Sequence, residues 1–172
     1  MSTMLMASEL TLFTVVAVAV VLDVQTGKIS NRLILMGLIS SLMFRVWNGG
    51  TSQIPIFLGN ILVPVILLYL LFVFGALGAG DIKLFSVIGG FTNLTVVLHG
   101  IFWSFVTGAV FSVLKMLYHR NFVKSMAQAF SYVRGLLQGN MVAYPGKNEP
   151  QNRIHFSIAI LIGLVLARIQ TG

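Results

Sequence analysis

Four carboxylates occur in the 172 residues, Glu9, Asp23, Asp81 and Glu149, and they are the acids available for proton chemistry. Asp23 and Asp81 stand at the edges of long apolar runs. An ionised carboxylate at mid-bilayer depth costs ~2.5–3.5 kcal/mol, so an acid retained there points to function. Two such groups at one level in a low dielectric cannot easily both ionise, because burial and mutual repulsion each favour a neutral form. A pair that shares one proton can do acid–base hydrolysis: the ionised member takes a proton from water while the neutral member polarises a carbonyl. Gly78 and Gly80, just before Asp81, fit such a site, since glycine lets a substrate backbone approach and permits unusual dihedrals. The plainer readings are that Asp81 caps the helix beginning at Ile82 and that Asp23 is an interfacial residue paired with Lys28.

These acids must be positioned by helices in lipid. The chain is 57% hydrophobic and 9% charged, with mean hydropathy +0.95. The polar surface of a soluble domain is therefore missing. Apolar runs separated by turn or charged residues predict an all-α, polytopic membrane protein of about six transmembrane helices, over 5–23, 33–47, 54–75, 82–93, 95–118 and 154–169. The fourth is short, and spans only if the helix continues toward Val97 or its neighbours help. No Lys or Arg precedes Lys28, so the first run reads as a retained helix and not a signal peptide. Residues 1–172 are expected to form a single membrane domain.

Alternating the loops between the two sides puts Lys28, Arg32, Lys83, Lys115, Arg120, Lys124, Arg134, Lys147 and Arg153 together, against Arg45 and Arg168. Positive loops stay cytoplasmic, so both termini are expected outside and both aspartates toward the cytoplasm. If Glu9 marks the outer interface, the fourteen residues to Asp23 span about 21 Å of a ~30 Å hydrocarbon core. The net charge of +7 has no dense basic patch, so nucleic acid is not an expected partner; the lipid bilayer is. Within the cytoplasmic loop 119–153, Phe122, Met126, Phe130, Val133 and Leu137 recur at helical spacing opposite Lys124, Gln128, Ser131 and Arg134. This predicts an amphipathic helix along the headgroups, or one facing a partner such as pilus assembly machinery. Gly100, Ser104, Gly108 and Ser112 form a small-residue packing stripe on the fifth span.

No cofactor is expected. The chain has no cysteine, and His99, His119 and His155 lack visible partner ligands, which argues against a metal site. Lys28 and Lys83 each stand near an aspartate, where they can receive an acidic substrate residue, tune the neighbouring acid or, more simply, meet headgroups. Asn31 either orients backbone near Asp23 or turns the chain.

At these residues the sequence resembles the type IV prepilin peptidases, whose hallmark Gly-x-Gly-Asp is met by Gly78-Ala79-Gly80-Asp81, continuing through Ile82-Lys83-Leu84 to Gly89 and Gly90. In that family the first aspartate ends the first helix and a short loop closes with Ile-Pro-Asn. Asp23 to Asn31 fits, with Ser30 in place of proline. A departure occurs before the last span, where the family often shows Pro-Tyr-Gly and this chain has His155-Phe156-Ser157; no effect on either aspartate is expected from it. The resemblance implies that Asp23 and Asp81 are catalytic, with Gly78, Gly80, Lys28, Asn31 and Lys83 shaping the site. It also implies a prokaryotic cytoplasmic-membrane endopeptidase that removes a short leader from prepilin-like precursors. The larger members' Cys-x-x-Cys insert is absent, as in the short, peptidase-only type of tight-adherence (Flp) pili, so methylation is not expected. Two other classes are compatible with the acids: a small transporter binding protons or cations near a helix broken at Gly78 to Gly80, and a non-catalytic assembly protein.

Overall fold

The structure, a computed structural model, describes residues 2–118 and 155–171. The elements are helices α1 (Ser2–Thr26), α2 (Asn31–Gly49), α3 (Ile54–Val73), α4 (Ala79–Phe91), α5 (Leu94–Tyr118) and α6 (Phe156–Thr171), with a 3-10 turn at Thr51–Gln53. The expected amphipathic helix, the loop 119–153 and His119 lie outside the described residues. Residues 1–105 and 155–172 form one compact unit, which holds α1 to α4, the first half of α5 and α6. Residues 106–154 form a second unit, whose described part is the remainder of α5.

The helix order follows the apolar runs, but the number of independent spans does not. Among the described residues three stretches, not six, are long and apolar enough to cross a membrane: Thr3–Thr26, Thr51–Val73 and Leu94–Lys115. The thirteen residues of α4 cover only about 20 Å and the sixteen of α6 about 24 Å, short of a ~30 Å core. Helix α2 has the length, but Asn31, Arg32, Ser40, Ser41, Arg45 and Asn48 dilute its apolar character. Nor does α4 run on toward Val97. It ends at Phe91, Thr92 is extended, and Asn93 restarts the chain as α5 by accepting the Val96 N–H on Oδ1 at 2.9 Å.

Helix α4 is nevertheless the core. Every residue from Leu84 to Gly90 is buried, and α1, α2, α3 and α6 surround it. A helix apolar on all sides must be covered all round, and here its neighbours supply the cover. The outward faces of α1, α2 and α3 carry exposed Leu10, Leu35, Met36, Met43, Leu62, Ile66 and Leu70, the surface expected when lipid is the solvent.

Small residues set how closely α4 is approached. Gly37 of α2 lies against Val87, where an added Cβ would stand 2.8 Å from a methyl. A Cβ on Gly90 would reach the Ser41 hydroxyl at 2.5 Å, and one on Gly89 would collide with the backbone carbonyl of Asn60. That carbonyl is free to meet Gly89 because its usual helical donor, four residues on, is Pro64, which has no N–H. On the other side of the unit, Gly163 of α6 packs on Ser104 and the Gly100 carbonyl, so the first half of the small-residue stripe is a helix–helix contact.

The C-terminal carbonyls of α4, which lipid cannot satisfy, are taken by side chains. Arg45 donates from Nε to Gly90 O at 2.7 Å and from Nη2 to the carbonyls of both Gly89 and Thr92. Asn60 Nδ2 donates to Thr92 O at 3.0 Å. Gly89→Ala, which forces a methyl onto the Asn60 backbone, is expected to destabilise the detergent-solubilised protein by about 1–3 kcal/mol in thermal or denaturant unfolding. Gly59→Ala, where nothing lies within 4 Å of the added Cβ, is expected to be neutral or slightly stabilising in the same measurement.

Candidate active site

Asp23 sits in the last turn of α1. The helix is closed by Gly27, whose left-handed φ of 66° lets its N–H return to the Asp23 carbonyl at 2.8 Å. Asp81 occupies the third position of α4, where its Oδ2 accepts the N–H of Gly78, the N-cap, at 3.2 Å. This is the returning half of a capping box; glycine has no side chain to make the other half. The N-cap reading of Asp81 is therefore corrected in position: the acid reaches back to the cap and is not itself the cap.

The two acid-bearing segments are knit together by contacts close in sequence to each acid. Ile29, in the loop after α1, fits against Gly80, where an added Cβ would stand 3.3 Å from the isoleucine. Asn31 Oδ1 accepts from Lys83 Nζ at 2.9 Å, joining the start of α2 to the first turns of α4. Asp23 is the ionisable neighbour whose charge acts on the Asp81 carboxyl. The bundle thus gathers Asp23, Asp81, Gly78, Gly80, Asn31 and Lys83 at one end. Lys28 is exposed beside them, and its backbone, not its ammonium, bonds Thr26 Oγ1.

Of the two sequence expectations for the glycines, the unusual dihedrals are not found. Neither Gly78 nor Gly80 has a positive φ, a conformation confined to Gly27, Gly50 and Gly75 among the described residues. Gly80 makes room for Ile29 of this chain, and a Cβ on Gly78 would stand 2.9 Å from Asp81 Oδ2. Both positions are thus closely approached by side chains of this chain within the site.

Two residues on Asp23 were not expected there. Ser157 Oγ donates to Asp23 Oδ2 at 2.7 Å, and His155 Nδ1 lies 3.5 Å from the same oxygen. Asp23 thus has His155 within ion-pair distance, a charge pair when the imidazole is protonated, and among the described residues it makes no ion pair with Lys28. The departure at His155-Phe156-Ser157 touches an aspartate after all, because α6 packs on α1 with its first turn beside the last turn of α1. No periodicity or spacing rule links positions 134 apart; the one available signal was that two polar residues replace proline and glycine where a helix enters the apolar unit.

A cavity of about 410 Å³ lies at the opposite end of the bundle, lined by Glu9, Arg45, Asn48, Gln53, Asn93 and Arg168 among others, and touches neither aspartate. Glu9 and Arg168 form an ion pair on its wall. Among the described residues no three His, Asp or Glu side chains converge to hold a metal ion.

No curated protein and no solved structure matches the chain. The family model of the type IV leader peptidase family does match, over residues 10–113, which include both aspartates and the Gly78-Ala79-Gly80-Asp81 motif. With more than half of its length matched, the chain belongs to the type IV leader peptidase family.

Proposed function

We propose that this chain is an aspartic endopeptidase that removes the short leader from prepilin-like precursors at the cytoplasmic face of the membrane, with Asp23 and Asp81 as its catalytic pair. The observation that carries the reading is the convergence of two acids from helices far apart in sequence on one end of the bundle, tied by Ile29 on Gly80 and Lys83 on Asn31. Residues 1–172 act as a single membrane peptidase domain in this proposal.

In the proposed reaction, a water sits between the carboxylates. The ionised member removes its proton as oxygen attacks the scissile carbonyl, while the protonated member donates to the carbonyl oxygen. Collapse of the tetrahedral intermediate returns a proton to the leaving amine and restores the pair, so one peptide and one water give two peptides. Lys83, held by Asn31, and Lys28, exposed at the same end, favour a substrate carrying negative charge near the cut.

The test follows leader removal from a candidate prepilin by the reconstituted protein. Asp23→Asn and Asp81→Asn are each expected to lower the rate by about 100-fold or more, with the helical fold retained. Cleavage at the wild-type rate by either variant would exclude the paired-acid mechanism and favour a transporter or an assembly role.

Orientation has its own measurement. The chain contains no cysteine, so single cysteines report cleanly. With positive residues cytoplasmic, Ser52→Cys is expected to react with a membrane-impermeant maleimide on intact cells, and Gln25→Cys only after permeabilisation. The reverse pattern would place the aspartates on the outer side.

A further inference from the structure

A carboxylate carried by a free side chain swivels, because the last torsion of aspartate is broad and two-fold. Asp23 is not free. Ser157 is fully buried and its hydroxyl donates to Asp23 Oδ2 at 2.7 Å; His155 Nδ1 approaches the same oxygen at 3.5 Å. Among the described residues Oδ1 of Asp23 has no partner. The serine hydroxyl therefore holds one oxygen, with the imidazole at ion-pair distance from that same oxygen, and the other is left to do chemistry.

The residues that carry these groups are themselves fixed. Phe156, between them, packs on Phe105 with ring centroids 5.5 Å apart, and Gly163 two turns on lies against Ser104. Asp81 is treated differently: among the described residues, the hydrogen bond to its carboxylate comes from its own helix start, at Gly78. The orientation of Asp23 thus depends on a helix 134 residues away, and that of Asp81 on its own turn.

We propose that Ser157 and His155 are positioning residues that clamp Oδ2 of Asp23, so that Oδ1 is the oxygen presented to the attacking water. The inference rests on the aspartic reading above and adds to it a second layer supplied by α6. Where the resembling peptidases often show Pro-Tyr-Gly, the outer two residues have no side-chain donor, so the clamp is a feature of this chain's own residues. A prealigned carboxylate avoids an ordering cost in each turnover, and that saving falls on kcat and not on substrate affinity.

The experiment measures kcat and KM for leader removal by the full-length, reconstituted protein, with Ser157→Ala, Ser157→Thr, His155→Ala and His155→Gln beside Asp23→Asn. A hydrogen bond to a charged group is worth about 10- to 100-fold in rate, so Ser157→Ala is expected to lose that much kcat with KM unchanged within about twofold. Ser157→Thr, which keeps the hydroxyl, is expected to recover most of the loss. His155→Gln, which keeps a donor, is expected to outperform His155→Ala, and this pair carries the test if the threonine variant does not fold. A Ser157→Ala enzyme with wild-type kcat, or one that changes only in KM or in thermal midpoint, overturns the clamp. If Asp23→Asn is inactive while Ser157→Ala is normal, only the clamp fails; if Asp23→Asn is itself active, the catalytic reading fails first.

Discussion

The grip of Arg45 and Asn60 on the carbonyl end of α4 is the constraint from which the rest of the architecture follows. A helix of thirteen residues cannot reach both faces of a bilayer, so its last carbonyls belong to buried residues, Gly89, Gly90 and Thr92, where little water reaches them. The guanidinium of Arg45, covering the carbonyls of Gly89, Gly90 and Thr92, and the amide of Asn60 on Thr92 replace that water. Each carbonyl left unpaired would cost about 1–3 kcal/mol, so the cap decides whether so short a helix can be buried at all.

Once its far end is fixed, the near end of α4 is fixed too, because a helix transmits position along its axis. Gly37, Gly89 and Gly90 let α2 and α3 approach until backbone meets side chain, and such contacts have little room to slide. Asp81, ten residues before Phe91, is thereby held about 15 Å from the Arg45 clamp. The arrangement explains why the family motif runs past the acid to Gly89 and Gly90: the first pair of glycines seats the acid against Ile29 and the cap, and the second pair seats the helix that carries it.

The sequence made the acids, the helix order and the small-residue contacts legible because each leaves a local mark. A carboxylate beside an apolar run stands out by its cost, and helical spacing exposes a stripe such as Gly100 and Ser104. The number of self-sufficient spans was overcounted because apolar runs reveal what avoids water, not what avoids it alone; α2, α4 and α6 depend on neighbours. His155 and Ser157 were illegible for a related reason. A serine at a helix start reads as a local cap, and nothing within its own segment tells that its hydroxyl crosses to α1. Gly80 was only partly legible in the same way, since a bare backbone signals close approach without telling that Ile29 of this chain makes one.

The contact between α6 and α1 is made at both ends, which gives it a rigidity that neither end has alone. Ser157 and His155 meet Asp23 at one end, and Arg168 meets Glu9 at the other. Between the two attachments α6 advances eleven residues, about 16 Å, and α1 fourteen, about 21 Å. The long arginine side chain takes up much of the difference. The pair at the exposed end contributes little by itself, since both side chains remain about a third accessible. Its consequence is geometric: α6 meets α1 at two places far apart along both axes, the Ser157 hydrogen bond to Asp23 and the Arg168–Glu9 pair, so the register of the two helices is set at both ends.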